Sequence, residues 1–115
     1  MRIEVRGRNL EVTPELEDAI RKRFKRLARQ VSELATLDVE LREERNPRVP
    51  DKFVAEATLR LKGTTIRARE AAPEMLHAIH ELAEDVRRQV KRNRDLRRHR
   101  TESRRFSRKL RDSAA

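Results

Sequence analysis

Basic side chains occur in two groups whose spacing suits the binding of phosphate. The first is Lys22, Arg23, Lys25, Arg26 and Arg29, and the second is Arg87, Arg88, Lys91, Arg92 and Arg94. Arginine offers a fixed fork of N–H donors and lysine a mobile point charge, and both reach phosphate oxygens through charge-assisted hydrogen bonds. At 3.6 residues per turn, Lys22, Lys25 and Arg29 fall opposite the apolar stripe of their segment, with Arg26 and Arg23 on one flank. Arg88, Lys91 and Arg92 oppose the stripe of theirs in the same way, and Arg87 lies to one side. Solvated helix faces are usually charged, so one such cluster alone would carry little weight. Two on the same layer, with few acids among them, point to a polyanionic partner.

Other chemistry finds less support. His77 and His80 share a helix face at i, i+3, but no third ligand accompanies them, and a metal site needs at least three. The carboxylates are flanked by bases, and the chain has no glycine-rich phosphate loop, no nucleophile motif and no length for a deep pocket. The expectation is a protein that is not an enzyme, with no cofactor, no metal and no small-molecule substrate. Aromatic residues decide how nucleic acid would be held. Single-strand readers stack bases on exposed rings, whereas Phe24, Phe53 and Phe106 are the only aromatic side chains here and the first two belong to core stripes. Phosphate contact that recognises shape rather than base sequence is what remains.

The composition agrees. Thirty Lys and Arg against twenty Asp and Glu give a net charge of +10 over 115 residues, and charged residues make up 43% of the chain. The excess is polar in its distribution: Arg87 to Arg111 contains thirteen bases and two acids, Asp95 and Glu102, so the rest of the chain is nearly neutral. The length suits one domain, and hydrophobic residues at 36% allow only a thin core. No apolar run approaches the ~20 residues of a membrane-spanning helix. Met1-Arg2-Ile3-Glu4-Val5 has no signal-peptide character, and zero Cys suits a reducing compartment. A cytoplasmic protein, not bound to membrane and monomeric when free, is the expectation.

The elements that must position the basic groups follow from periodicity. Ile3 and Val5 alternate with Arg2, Glu4 and Arg6, as in a half-buried strand. Thr13-Pro14-Glu15 supplies an N-cap, a first-turn proline and an acid, and the stripe Leu16, Ala19, Ile20, Phe24, Leu27, Ala28 and Val31 predicts a helix. Leu37, Val39 and Leu41 mark a second strand, and residues 45–51 a turn. Phe53, Ala55, Ala57, Leu59 and Leu61 mark a third strand. Gly63 supplies a tight turn of positive φ, and Ile66 and Ala68 face inward from a fourth strand. Pro73 is expected to open a second helix with the stripe Met75, Leu76, Ile79, Leu82, Ala83, Val86 and Val90. The order β-α-β-β-β-α predicts an α+β two-layer sandwich, a four-stranded mixed sheet with both helices on one face. The first two strands should be parallel and the others antiparallel. The outer sheet face would carry Arg2, Glu4, Arg6, Asp38, Glu40, Arg42, Glu56, Arg60, Arg67 and Arg69. Residues 1–95 form the domain, and 96–115, with only Leu96, Phe106 and Leu110 among arginines, are expected to be a basic tail, mobile in the free protein.

Gly7-Arg8-Asn9-Leu10-Glu11-Val12-Thr13-Pro14-Glu15-Leu16 resembles the opening signature of the ribosome hibernation-promoting factor family, also called ribosome-associated inhibitor A. Arg23-Phe24-Lys25-Arg26-Leu27, Ile66-Arg67-Ala68, Met75 with Ala78-Ile79, and Arg88-Gln89-Val90-Lys91-Arg92 match it in order and spacing. The resemblance covers residues 1 to about 95 and implies a double-stranded-RNA-binding-like fold. It implies docking on the small ribosomal subunit and its rRNA, over the sites of mRNA and of the A- and P-site tRNAs, with translation inhibited and the ribosome hibernating. Arg23, Arg26, Arg88, Arg92 and Arg94 match family basic positions, whereas Lys22, Lys25, Arg29, Arg87 and Lys91 come from helical geometry. The chain departs from the family pattern at Leu76, His80 and Asp85, where an aromatic, an acid and a Lys are common. The tail is too short for the dimerisation domain of long members, so the resemblance implies a short form or a truncated chain. A generic double-stranded-RNA-binding module, which would bind any A-form duplex, is the main competing expectation; a protein whose basic tail binds an acidic partner is another.

Overall fold

The alternating N-terminal segment forms an edge strand, β1 (Arg2–Arg8), in the computed structural model of the protein, which describes residues 1–114 with side chains through Arg108. Helix α1 (Pro14–Ala28) follows, then β2 (Thr36–Glu43), β3 (Phe53–Leu61), β4 (Thr64–Ala72) and α2 (Met75–Ala114). The strands lie in the order β1-β2-β3-β4. The β1–β2 pair is parallel, and β2–β3 and β3–β4 are antiparallel. This is the mixed sheet that the element order predicts.

Local chemistry accounts for the boundaries. Thr13 Oγ1 accepts from the Leu16 N–H at 3.2 Å, satisfying a donor that the first turn leaves free. Glu15 and Glu17 stand in the first turn of α1 and Lys25 and Arg26 in the last, each matched to the helix dipole. Val31 lies beyond the end of α1 rather than on it, and packs half-buried against the core. Between β1 and α1 the chain folds back closely: a Cβ at Gly7 would collide with the Leu10 carbonyl oxygen, and Asn9 takes the left-handed conformation, φ 56°. Gly63 turns β3 into β4 with φ 78°.

The core is one layer of aliphatic side chains between the sheet and the helices. Ile20, Phe24 and Leu27 of α1 meet Leu37, Val39, Leu41 and Leu59 of the sheet and Ile79, Leu82 and Val86 of α2, all buried. Three details depart from the periodicity. The helix opens at Met75, two residues after Pro73, with Glu74 accepting its first backbone bond from Ala78. Proline therefore precedes the helix instead of starting it. Leu76 is 48% exposed, and Ala78 takes the buried place beside Ile79, because the second helix turns its stripe toward β3 and β4. Val54, on the outer face between Arg42 and Ala71, is nonetheless buried and belongs to no part of the main core.

The second helix does not stop at residue 95, where the apolar stripe thins. Val90 is its last side chain buried in the core, but its backbone continues helical to Ala114. Burial thus ends at Val90 and the contact of Arg97 with the Lys62 carbonyl follows it, while the helix itself continues. Forty helical residues span about 60 Å at 1.5 Å per residue, which accounts for a long axis of 68 Å against 30 and 18 Å for the others. The radius of gyration, 18.5 Å, exceeds the roughly 13 Å of a compact chain of this length.

Leu27 is fully buried, so Leu27→Ala should cost about 2 to 5 kcal/mol by leaving a cavity under the sheet. Gly7→Ala should also lower the denaturation midpoint, since the Leu10 carbonyl that it meets is backbone and cannot swing aside. Urea denaturation followed by circular dichroism measures both, and an unchanged midpoint for Leu27→Ala would mean that α1 packs by another face.

Candidate nucleic-acid interface

Because the core consumes one face of each helix, the basic groups are turned outward. Lys22, Arg23, Lys25, Arg26, Arg29, Arg88, Lys91, Arg92 and Arg94 are exposed, and Arg87 is half-buried. They do not form a single patch. Arg87, Arg88, Lys91 and Arg94 line an open groove together with Gln30, the residue just past the C-cap of α1, and Glu84. Arg23 and Arg26 precede Gln30 by seven and four residues, on the same flank of α1. The groove is therefore basic on its α2 side, and Arg23 and Arg26 extend the charge along the α1 flank that leads to Gln30. Lys22, Lys25 and Arg29 point away from it, on the outer crest of α1.

Arg92 adjoins Arg88 and Lys91 in a shallow groove on the outer side of α2, and on its other side lines a second groove with Gln89, Asn93 and the Gly63–Ile66 segment that begins β4. Two further members are already matched to acids. Lys22 Nζ lies 3.0 Å from Asp18, and Arg87 donates to Glu84 at 2.9 Å. Arg23, Lys25, Arg26, Arg29, Arg88, Lys91 and Arg94 have no acid partner within 4 Å among the described residues. Gln30 and Arg97 are neighbours of the site that sequence reasoning did not place there. Gln30 is neutral and gives no charge signal. Arg97 is one arginine among many, and only the fold shows it donating to the Lys62 carbonyl at 2.7 Å.

The outer sheet face presents a different electrostatic surface. Arg2 pairs with Glu4, Arg6 with Glu40, Arg42 and Arg69 with Glu56, and Arg60 with Asp38. Cross-strand neighbours bring these groups together: Arg6 sits opposite Glu40, and Glu56 opposite Arg69. Exposed pairs of this kind contribute little stability, but each occupies an arginine that would otherwise be free for phosphate.

Of the departures of the second helix from the family pattern, Asp85 falls outside the inter-helix groove. Asp85 accepts from Gln89, whose amide also reaches the Arg67 carbonyl, so it faces β4. There it meets Glu70. Burial, then repulsion and a hydrogen bond from Asp85 and repulsion from Glu81, raise the Glu70 carboxyl above its ordinary value, against a weaker opposing pull from Arg88. His77 lies 3.7 Å from Glu81, and His80 Nδ1 has no hydrogen-bond partner.

A mixed four-stranded sheet with two helices on one side, and largely unpaired basic side chains along them, defines a class of small α+β proteins with a basic helical layer. Comparison with known proteins makes the assignment specific. The family model described as sigma 54 modulation protein / S30EA ribosomal protein matches residues 3–98, and the chain belongs to that family. A ribosome hibernation promoting factor from Acinetobacter guillouiae is 30% identical over 101 residues, covering 84% of this chain and 89% of the relative. A ribosome hibernation promotion factor from Picosynechococcus sp. (strain ATCC 27264 / PCC 7002 / PR-6) is 29% identical over 92 residues, 79% of this chain, which spans about half, 48%, of that longer relative. Among solved structures, the N-terminal domain of Thermus thermophilus Protein Y superposes with a TM-score of 0.68 at 30% identity, over 80% of this chain and 98% of that one. A ribosomal subunit interface protein from Coxiella burnetii, 17% identical, shares the fold with a TM-score of 0.69 over 83% and 99% of the two chains.

The acidic contact at β4 has a measurable consequence. A raised pKa means that the native state holds the Glu70 proton more tightly than the unfolded chain does. The resulting stability is present below the ordinary value of 4.5 and is lost as pH rises through the folded value. Glu70→Gln should therefore raise the thermal midpoint near pH 7 and change it little near pH 4; a loss of stability at pH 7 would mean that the carboxylate is held by favourable contacts instead.

Proposed function

We propose that this protein is a ribosome-binding translation inhibitor that docks on the small subunit at the mRNA and A- and P-site tRNA positions and promotes hibernation, without catalysing a reaction. Family membership and relatives that bear the name of hibernation factors support a role at the ribosome. The observation that carries the docking face is the contrast between the two surfaces of the sandwich. Five of the sheet arginines, Arg2, Arg6, Arg42, Arg60 and Arg69, are matched to acids and only Arg8 and Arg67 are not, whereas most of the basic positions singled out on the helices are free for phosphate.

A rigid basic surface without exposed domain aromatics holds RNA by its backbone and recognises its shape. Arg23, Arg26, Arg88, Lys91 and Arg94, around the inter-helix groove, are the residues proposed to bind rRNA directly. Arg87 lines the same groove but is paired with Glu84, and Lys22, Lys25, Arg29 and Arg92 extend the surface to either side. Inhibition then follows from occupancy: a domain seated where mRNA and tRNA bind excludes them, and no chemical step is required.

Charge reversal at Lys25 and Arg29, or at Arg88 and Arg92, should weaken small-subunit binding and relieve inhibition of a reporter mRNA in a purified translation system. Reversal of Arg2 and Arg60 on the sheet removes the same charge and should matter much less, since salt screens distant charges over about 10 Å at 0.1 M. Equal losses from the sheet variant would place the bound face elsewhere. For the unaltered protein, neutralisation of about six to eight phosphates predicts log K falling against log salt with a slope of roughly −4 to −7. A generic duplex binder would sediment as well with an A-form duplex as with small subunits, and that result would displace the proposal.

A further inference from the structure

Beyond the domain, α2 carries a second charged surface. From Arg94 to Arg108 every residue is exposed, yet the helix continues unbroken. Its root is fastened: Arg97 donates to the Lys62 carbonyl beside the β3–β4 turn at 2.7 Å, and Thr101 Oγ1 donates back to the Arg97 carbonyl at 3.0 Å. The helix thus leaves the domain in a direction that the domain sets.

At 3.6 residues per turn the projecting part has two unlike faces. One carries Arg94, Arg98, Arg104, Arg105 and Arg108. Leu96, His99, Ser103 and Phe106 lie opposite. Arg94, Arg98 and Arg105 line one open groove with Thr101 and Glu102. Arg94 also lines the groove at the end of α1, so the arginine face of the arm is continuous with the basic inter-helix surface. From Arg87 to Arg108 this track runs about 32 Å at 1.5 Å per residue.

Arg94, Arg98, Arg104 and Arg105 have no acid within 4 Å among the described residues. Like charges at i, i+4, as at Arg94 and Arg98 or Arg104 and Arg108, oppose the helix that holds them. An anion laid along this face would relieve that repulsion. Leu96 and Phe106 are the only large apolar side chains exposed on the arm among the described residues, too small a face to bury a helix in a lipid interface.

We propose that α2 beyond Asn93 is a second RNA-binding element, a helical arm whose arginine face lies along the phosphates of an RNA segment adjoining the one held by the inter-helix groove. The proposal rests on the reading of this chain as a ribosome-binding protein and adds a contact surface outside its domain. Arm and domain together would hold two neighbouring stretches of one folded RNA.

The test uses the full chain with Arg98→Gln, Arg105→Gln and Arg108→Gln combined, since glutamine removes charge while keeping helix propensity. Affinity for purified small subunits should fall about tenfold or more at 0.1 M salt, and the slope of log K against log salt should become shallower by about two to three. The thermal midpoint should not move, because these side chains pack against nothing. Amide exchange in residues 98–108 of the unaltered protein should slow when small subunits are added. Unchanged affinity and slope in the triple variant would overturn the arm, as would retention of ribosome binding together with loss of binding to anionic phospholipid vesicles. If the unaltered protein ignores small subunits, the docking reading fails by itself, and an A-form RNA duplex takes their place: loss of duplex binding in the triple variant sustains the arm, and equal binding by both proteins, or binding by neither, removes it.

Discussion

Charge cannot be buried cheaply without a partner, and this constraint shapes the protein more than any other. Charged residues are 43% of the sequence, yet among the described residues no polar or charged side chain is buried. All apolar side chains available for a core must then gather in one layer. A sheet with one apolar face, covered by two helices with one apolar stripe each, achieves this with few residues. The price is two broad charged exteriors, one on the sheet and one on the helices.

Those exteriors differ because of backbone geometry. On the sheet, cross-strand neighbours place Arg6 beside Glu40 and Glu56 beside Arg69, so that bases and acids meet across the ladder. On the helices, acids and bases are segregated along the axis. Glu15, Glu17 and Asp18 occupy the start of α1 and Lys22 to Arg29 its end; Glu81, Glu84 and Asp85 precede the bases of α2. The arrangement satisfies the helix dipole in α1 and at the same time leaves the later turns with few acids to pair with, only Asp95 and Glu102 between Arg87 and Arg111. A surface suited to phosphate arises from the same gradient that stabilises the helix.

The long second helix unites two environments. Its first four turns are held by burial of Met75, Ile79, Leu82, Val86 and Val90, and the remainder has no core to join. Helix formation is cooperative, so a packed nucleus lets exposed turns extend from it at little further cost. Arg97, clasped to the Lys62 carbonyl, carries that support about two turns past the last buried residue, Val90. The shape that results, a flat domain with a projecting basic helix, makes the chain longer in reach than its length suggests.

Much of the fold was legible from periodicity. The strands reveal themselves by alternation in Ile3-Glu4-Val5 and Leu37-Asp38-Val39-Glu40-Leu41, and α1 by its stripe and the Thr13-Pro14 start; the pairing senses follow from the order of elements. These signals are local, and a sequence displays local order directly. What it conceals is where packing ends and which neighbours a side chain acquires. Leu76 fits a helical stripe by spacing, but the azimuth of α2 on the sheet leaves it exposed. Val54 occupies an outward strand position and is sheltered there. The thinning of apolar residues after Asn93 suggests the end of a structured region, whereas in the fold the helix continues, with Arg97 still bonded to the Lys62 carbonyl. The ten basic positions were identifiable by charge, but their division between the inter-helix groove, the outer crest of α1 and the β4 side of α2 was not. That division depends on how two helices are rotated against each other and against the sheet, a long-range consequence of core packing that residue type and spacing do not contain.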